Sequence, residues 1–196
     1  MYHGTILQQE DKVDNKVLHL LDTRRSHRAY QPKPLTREQL DALAMAGISS
    51  PSANNLQPWH FSVVQDQDLL NRINREACNQ VNLLPEVARN RRFQDPDFHI
   101  FYHAPAVIFI STTQEHRKLL DCGIAVQSIA IAAESLGLGS VILGLPLFAF
   151  AGGLKAEFEQ ALHFPEGHSF AIAIAVGHPA DTKEAPVRDR NKISYI

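Results

Sequence analysis

The sequence predicts one α+β domain built on a mixed sheet, and three observations carry that prediction. Stretches with helical apolar spacing alternate with short continuous apolar runs, the pattern of helices packed on a sheet. The 196 residues are enough for one domain with a substantial core, so the whole chain, 1–196, is expected to form a single unit. No internal repeat or low-complexity tract suggests an elongated array instead.

The elements follow in order. Residues 13–23 read as a helix, with Val17, Leu20 and Leu21 at helical spacing. Pro32-Lys33-Pro34 is extended, because proline cannot sit inside a helix. Thr36 with Gln39 three residues later forms a capping-box pattern. The helix it opens carries Leu40, Leu43, Ala44 and Ile48 on one face and stops before Pro51. Residues 61–64 are a strand bounded by polar residues. Residues 68–84 are helical in pattern but Asn-rich and weakly amphipathic. The stretch 85–103 is polar and punctuated, with aromatics at Phe93, Phe98, Phe101 and Tyr102. A connection of that length is functional or disordered, and it is the candidate lid, with Phe93, Phe98 or Phe101 facing a substrate or simply anchoring the excursion. The apolar run 106–111 is a buried strand. Residues 116–136 form the longest helix, whose centre, 123–133, is apolar almost all round and so is expected to be deeply buried, in part against a second subunit. Gly137 and Gly139 end it as a C-cap would. A short strand at 141–143, an amphipathic helix at 154–162 and a buried strand at 170–176 complete the domain. The tail 180–196 is polar until Tyr195-Ile196.

Charge and cysteine content narrow the function classes. A net charge of −2 argues against general nucleic-acid binding, and the positive charge is local, at 24–28, 89–92 and 188–192. Two cysteines, Cys78 and Cys122, make no disulfide framework and read as reduced thiols. No basic start followed by an apolar run suggests a leader, and no uncharged apolar stretch reaches about eighteen residues. The expectation is a soluble, cytoplasmic protein with no membrane span.

Two motifs could carry chemistry. Arg24-Arg25-Ser26-His27-Arg28 places three guanidiniums and a hydroxyl within five residues. Guanidiniums form charge-assisted, bidentate bonds to phosphate oxygens, so the segment suits a phosphate. A solvated basic helix end explains it equally well, since cations stabilise a helix C-terminus. Pro51-Ser52-Ala53-Asn54-Asn55-Leu56-Gln57-Pro58-Trp59 packs small and amide side chains between two prolines. Amides both donate and accept, so the loop can read the edge of a heteroaromatic ring. The plainer alternative is a Pro-bounded turn with Asn in left-handed conformations. Trp59 reads as a core or interface anchor. Among ten histidines, His99 and His103 stand four apart, but no Cys or carboxylate cluster completes a metal shell. A Gly-x-Ser-x-Gly nucleophile turn is absent, and Gly137, Gly139 and Gly144 do not follow a strand and open a helix as a dinucleotide fingerprint requires.

The order of these motifs resembles the nitroreductase family of FMN-dependent oxidoreductases. The run 121–140 and the Gly177-His178-Pro179 turn, where the family's usual form is Gly-Tyr-Pro, add to the resemblance, which spans about 20–192. It implies a three-layer α/β/α fold with a mainly antiparallel mixed sheet, and a homodimer with FMN at the interface. Arg24, Arg25 and Ser26 would hold the phosphate and ribityl chain, and Arg28 would lie near flavin N1 and O2. Pro51, Ser52, Ala53, Asn55 and Gln57 would belong to the loop that contacts the flavin from the partner chain. Gln127 would reach it from the central helix, and the Gly144 backbone would approach N5. Arg188 or Arg190 would return to the phosphate. Asn54 departs from a family glycine, so either the loop is left-handed there or the ring contact differs; His178 departs with little expected consequence.

The implied activity is ping-pong hydride transfer from NADH or NADPH to a nitroaromatic, quinone or similar small electron-poor acceptor. No side-chain acid or base is required, so no catalytic residue and no metal ligand is assigned. Three rivals stay open: a specialised dehalogenase, flavin-fragmenting or enoyl-type reductase; a non-catalytic flavin-binding redox sensor; and a nucleotide- or nucleic-acid-binding arginine cluster.

Overall fold

The structure, a computed structural model, describes residues 15–84, 93, 95, 97–113 and 115–196. Its sheet has four strands in the order β1-β2-β4-β3, every pair antiparallel. The strands are β1 (His60–Val64), β2 (Ala106–Thr112), β3 (Gly139–Leu143) and β4 (Ser169–Gly177). One isolated parallel bridge, Ser26 to Ser140, supplies the mixed character at the β3 side. The helices are α1 (Lys16–Thr23), α2 (Arg37–Ile48), α3 (Gln67–Asn82), α4 (His116–Ser135) and α5 (Lys155–Ala161).

Strand β2 explains the layering. All seven of its residues are buried, and successive side chains point to opposite faces. Ala106, Ile108 and Ile110 join the cluster formed with Leu40 and Leu43 of α2 and with Ala125, Ile129 and Ala133 of α4. Val107 and Phe109 join the other, formed with Leu70, Ile73 and Ala77 of α3 and Phe158 of α5. Helices therefore cover both faces of the sheet, as the three-layer expectation has it. Each buried Val, Leu, Ile or Phe contributes about 1.5–3 kcal/mol of apolar transfer, so β2 is apolar over Ala106–Ile110, and its buried polar end is hydrogen-bonded, Thr112 Oγ1 donating to the Pro58 carbonyl at 2.8 Å.

The helices sharpen the sequence reading in several places. The capping box of α2 is present from both sides: Gln39 N–H donates to Thr36 Oγ1 at 3.2 Å, and Thr36 N–H to Gln39 Oε1 at 3.0 Å. Its inner face is Leu40, Leu43 and Gly47, while Ile48 turns outward. Helix α3 is strongly amphipathic, not weakly so: Leu70, Ile73, Ala77 and Val81 form one buried stripe, and the polar residues occupy the other sides. Helix α4 is not buried all round within the chain. Cys122, Ala125, Val126, Ile129, Ala130 and Ala133 are inside, but Leu120 is 58 % and Ile124 44 % exposed. Gly137 closes α4 with φ +68°, and Leu138 N–H reaches back to the Ala133 carbonyl at 2.9 Å. Gly139 takes no part in that cap and begins β3. Of the first predicted helix, Val13 lies outside the described residues; α1 begins at Lys16, and Val17, Leu18 and Leu21 are exposed.

Of the candidate lid, 85–103, residues 93, 95 and 97–103 are described. Residues 85–92, 94 and 96, including the basic run 89–92, lie outside the described residues. In the described part, Phe93, Ile100, Phe101 and Ala104 are buried in the α3-side core, and Phe98 packs against it. Asn74 of α3 fixes this stretch by accepting the Ile100 N–H at 2.8 Å. Phe93 and Phe101 are core side chains and Phe98 packs half-buried against them, the anchoring alternative rather than the substrate-facing one. Nearby, a Cβ on Gly177 would stand 2.6 Å from Pro105 Cδ and 2.8 Å from Tyr30 Cδ1. Only glycine lets Tyr30 pack this closely on the end of β4, two residues after the arginine segment ends at Arg28. No described helix is long and apolar enough to cross a membrane.

Candidate functional site

Helix α1 ends at the arginine segment. Arg24 is its C-cap, with its N–H on the Leu20 carbonyl. Arg25 folds back so that Nη1 donates to the Asp22 carbonyl at 2.5 Å and the Arg24 carbonyl at 3.0 Å. Its Nε is buried and has no hydrogen-bond partner among the described residues. Ser26 bridges to Ser140, and His27 N–H donates to the Ser140 carbonyl at 3.0 Å. The segment is thus laid along the start of β3. Arg28 is exposed, and its guanidinium lies 5.8 Å from the centre of the Tyr102 ring.

A set of contacts that the sequence reading missed holds this segment. Asp181, just beyond β4, accepts from His27 Nδ1 at 2.6 Å with Oδ1. Its Oδ2 accepts the Arg28 N–H at 3.2 Å and pairs with Lys183 Nζ at 3.0 Å. Partial burial alone would raise the Asp181 carboxyl, but the bonds from His27, Lys183 and the Arg28 amide outweigh it and hold the group at about 2. Tyr30 donates its hydroxyl to the His27 carbonyl at 2.9 Å. Burial, with Asp181 nearby, pushes that phenol well above its ordinary range, so it stays a donor. Nothing local could have revealed the partnership: His27 and Asp181 are separated by 154 positions.

The loop 51–59 forms a tight turn whose amides point outward. Asn54, Asn55 and Gln57 have φ of 53°, 54° and 46°. The question left by the missing glycine is answered: the loop is left-handed at Asn54, a conformation asparagine tolerates better than other side-chain-bearing residues. Inside the turn, Ser52 Oγ accepts the Gln57 N–H at 2.9 Å and the Ser52 carbonyl accepts the Asn55 N–H at 3.0 Å. Buried Asp121 of α4 takes the Ala53 N–H at 3.4 Å. At the loop's base, Ser50 donates to Ser128 Oγ at 2.7 Å. Pro51, Ala53, Asn55 and Gln57 are exposed, and Ser52 is half-buried. Trp59 is buried in the α2/α4 cluster as an anchor.

The remaining sequence-chosen residues are placed as follows. Gln127 is half-buried on α4. Gly144 is exposed directly after β3, and a Cβ built there would meet nothing within 4 Å. Arg188 and Arg190 are exposed on the tail, where Asp189 caps a short turn at Arg190–Lys192. The arginine segment is therefore assembled with β3 and residues 177–181, and the amide loop with α4. No hydrogen bond or ion pair among the described residues joins the two.

His99 and His103, the pair weighed as metal ligands, lie 4.5 Å apart between ring centres with their planes tilted by 37°. Both His99 nitrogens are engaged: Nδ1 accepts the Phe101 N–H at 3.2 Å, so Nε2 carries the proton it donates to Asn71 Oδ1 at 3.1 Å. Burial first, and His103 second, push His99 down to about 4. Between an ordinary value near 6.5 and that value, the unfolded chain takes up the proton before the folded chain does. The contribution is present above about pH 6.5 and is lost as the pH falls toward 4. Thermal melts from pH 7 to pH 4.5 should show His99→Gln losing less stability than the wild type over that window; parallel curves would refute the assignment.

The sequence model of the nitroreductase family matches residues 21–178, and the chain belongs to that family. A solved nitroreductase with bound FMN from Desulfitobacterium hafniense superposes with a TM-score of 0.88 at 34 % identity, covering 93 % of this chain and 99 % of that one. The FMN reductase [NAD(P)H] of Bacillus subtilis is 32 % identical over 179 residues, 85 % of this chain and 67 % of its own length. The iodotyrosine deiodinase of Thermotoga neapolitana is 27 % identical over 169 residues, 82 % and 86 % of the two chains.

Proposed function

We propose that the protein is an FMN-dependent NAD(P)H oxidoreductase that reduces nitroaromatic, quinone or similar electron-poor small molecules, and that it works as a homodimer. The observation that carries this reading is the guanidinium of Arg25, pinned by two carbonyls with a buried Nε left over for a group outside the described chain. A phosphate is the group whose geometry and charge suit it.

The residues fit FMN on this chain's own chemistry. Arg24, Arg25 and Ser26 would hold the phosphate end, with Arg188 or Arg190 returning to it. Arg28 would set a positive charge beside the ring, where it offsets negative charge on the reduced form. Gly144 offers bare backbone, so a planar ring can lie close where any side chain would intervene. Bound FMN supplies reversible hydride acceptance and donation. The chain's part is to bind, orient and keep water away; with no acid or base assigned, protons come from solvent.

The dimer is supported by surfaces that a second copy would cover. Leu120 and Ile124 of α4, Met45 and Ile48 of α2, and Leu56 in the amide loop are exposed apolar side chains. Ser52, Asn55, Gln57 and their neighbours would serve the flavin of the other subunit, consistent with their outward amides and their separation from this chain's arginine segment. A cytoplasmic setting belongs to the same reading, both cysteines being free.

The test is the visible spectrum of the purified protein, followed by anaerobic NADH or NADPH. Flavin bands that bleach, and recover with a nitroaromatic or quinone, are expected. Bands that resist reduction favour a redox sensor; bands that recover only with a halogenated phenol favour a dehalogenase like the Thermotoga relative. A colourless protein that takes up no FMN sinks the reading.

A further inference from the structure

We propose that Asp181 is a positioning residue that fixes the arginine segment in its cofactor-holding geometry through His27 and the Arg28 backbone. The inference rests on the FMN reading above.

The segment needs such a device. Three cations within five residues repel one another, and among the described residues 24–30 meets the strand region through two isolated backbone bridges, Ser26 to Ser140 and Tyr30 to Pro179, and the Tyr30 hydroxyl on the Ala175 carbonyl at 3.4 Å. Residues 29–31 are stitched to 178–180 by backbone bonds: Ala180 N–H on the Ala29 carbonyl and Gln31 N–H on the His178 carbonyl, both 2.9 Å. Asp181 extends that stitching to residues 27 and 28, the ones next to the guanidiniums. One carboxylate oxygen takes the His27 ring and the other the Arg28 amide, at 2.6 and 3.2 Å. The His27 and Asp181 side chains are only 13 % and 17 % exposed, so water competes weakly for these bonds. From the opposite side, Tyr30 bonds the His27 carbonyl. Residue 27 is held at its ring by Asp181 and at its carbonyl by Tyr30, which sets the direction in which the Arg28 side chain leaves the chain. Because the carboxylate stays ionised, it acts as acceptor to both donors.

Charge and positioning predict opposite signs. Removing a carboxylate beside an anion site should, through space alone, tighten FMN binding and raise the flavin midpoint potential. Loss of positioning should weaken binding and lower the potential, since Arg28 no longer favours negative charge on the reduced ring. The experiment is FMN titration of the apoprotein by quenching of flavin fluorescence, with the midpoint potential of the bound flavin as second readout. Asp181→Asn is expected to weaken FMN about tenfold, as for one lost charge-assisted bond, and to lower the potential. Asp181→Glu should recover part of both. His27→Ala cuts the same bond from the other side, should act in the same direction, and carries the test if Asp181→Asn does not fold. The double variant should cost less than the two losses combined. Unchanged or tighter binding with an unchanged or raised potential overturns the proposal. A wild-type apoprotein that binds no FMN overturns the FMN reading, and this role with it.

Discussion

Phe101→Ala is expected to lower the unfolding free energy by about 3–5 kcal/mol, the range for emptying a large, fully buried aromatic site. The ring is completely buried, lies edge-on to Phe109 of β2 at 5.7 Å between centres, and tilts against His99 at a similar distance. Phe109 in turn packs edge-on to Phe170 of β4 at 6.3 Å. Truncation therefore opens a cavity at the centre of the α3-side core, where two strands and a helix cannot all relax to fill it. The measurement is urea unfolding followed by circular dichroism at 25 °C. A loss under about 1 kcal/mol would mean that this stretch is a surface excursion after all. The functional consequence reaches the site through Tyr102, which directly follows Phe101 and lies under the Arg28 guanidinium.

That segment shows where a single sequence is legible and where it is not. The strands and the caps could be read because their signals are local. The apolar run at β2, the Thr36–Gln39 pairing and the glycine after α4 each depend on residues a few positions apart. The role of Phe93, Phe98 and Phe101 could not, because aromatic residues in a polar, punctuated stretch look the same whether they face solvent or a core formed far away in sequence. The weak amphipathicity assigned to α3 failed for a related reason: its many Asn, Gln and Arg residues dilute the average while Leu70, Ile73, Ala77 and Val81 still line one side. The site divides in the same way. The arginine and amide motifs announce themselves by composition, and their placement at a helix C-terminus and in a left-handed turn follows from local rules. Asp181 carries no local signal at all. Its importance comes from β4 returning beside the arginine segment, which no spacing in the sequence reports.

Arg25→Met is expected to weaken FMN binding by about 10–150-fold, the value of one or two charge-assisted bonds worth roughly 1.5–3 kcal/mol. Methionine keeps much of the aliphatic stem, so the comparison isolates the guanidinium. The free protein should hardly change in stability. The variant loses two bonds to the Asp22 and Arg24 carbonyls, but it also removes a buried Nε that has no partner among the described residues, and such a group costs about 1–3 kcal/mol. Ligand-induced stabilisation should fall instead. At an FMN concentration about 100 times the wild-type dissociation constant, binding stabilises by about 2.7 kcal/mol, and a 100-fold weaker variant keeps only about 0.4 kcal/mol at the same concentration. Thermal shift with and without FMN reads this directly. Riboflavin, which lacks the phosphate, serves as the control, and its affinity should move by less than about twofold, since a phosphate-specific loss leaves ring and ribityl contacts intact. Equal losses for the two flavins would place the effect of Arg25 on the fold of the segment, and no loss for either would remove Arg25 from the phosphate site. A selective loss of FMN would tie the buried Arg25 Nε, which has no partner among the described residues, to the phosphate, and would explain why a helix as exposed as α1 ends in a guanidinium turned back onto its own carbonyls.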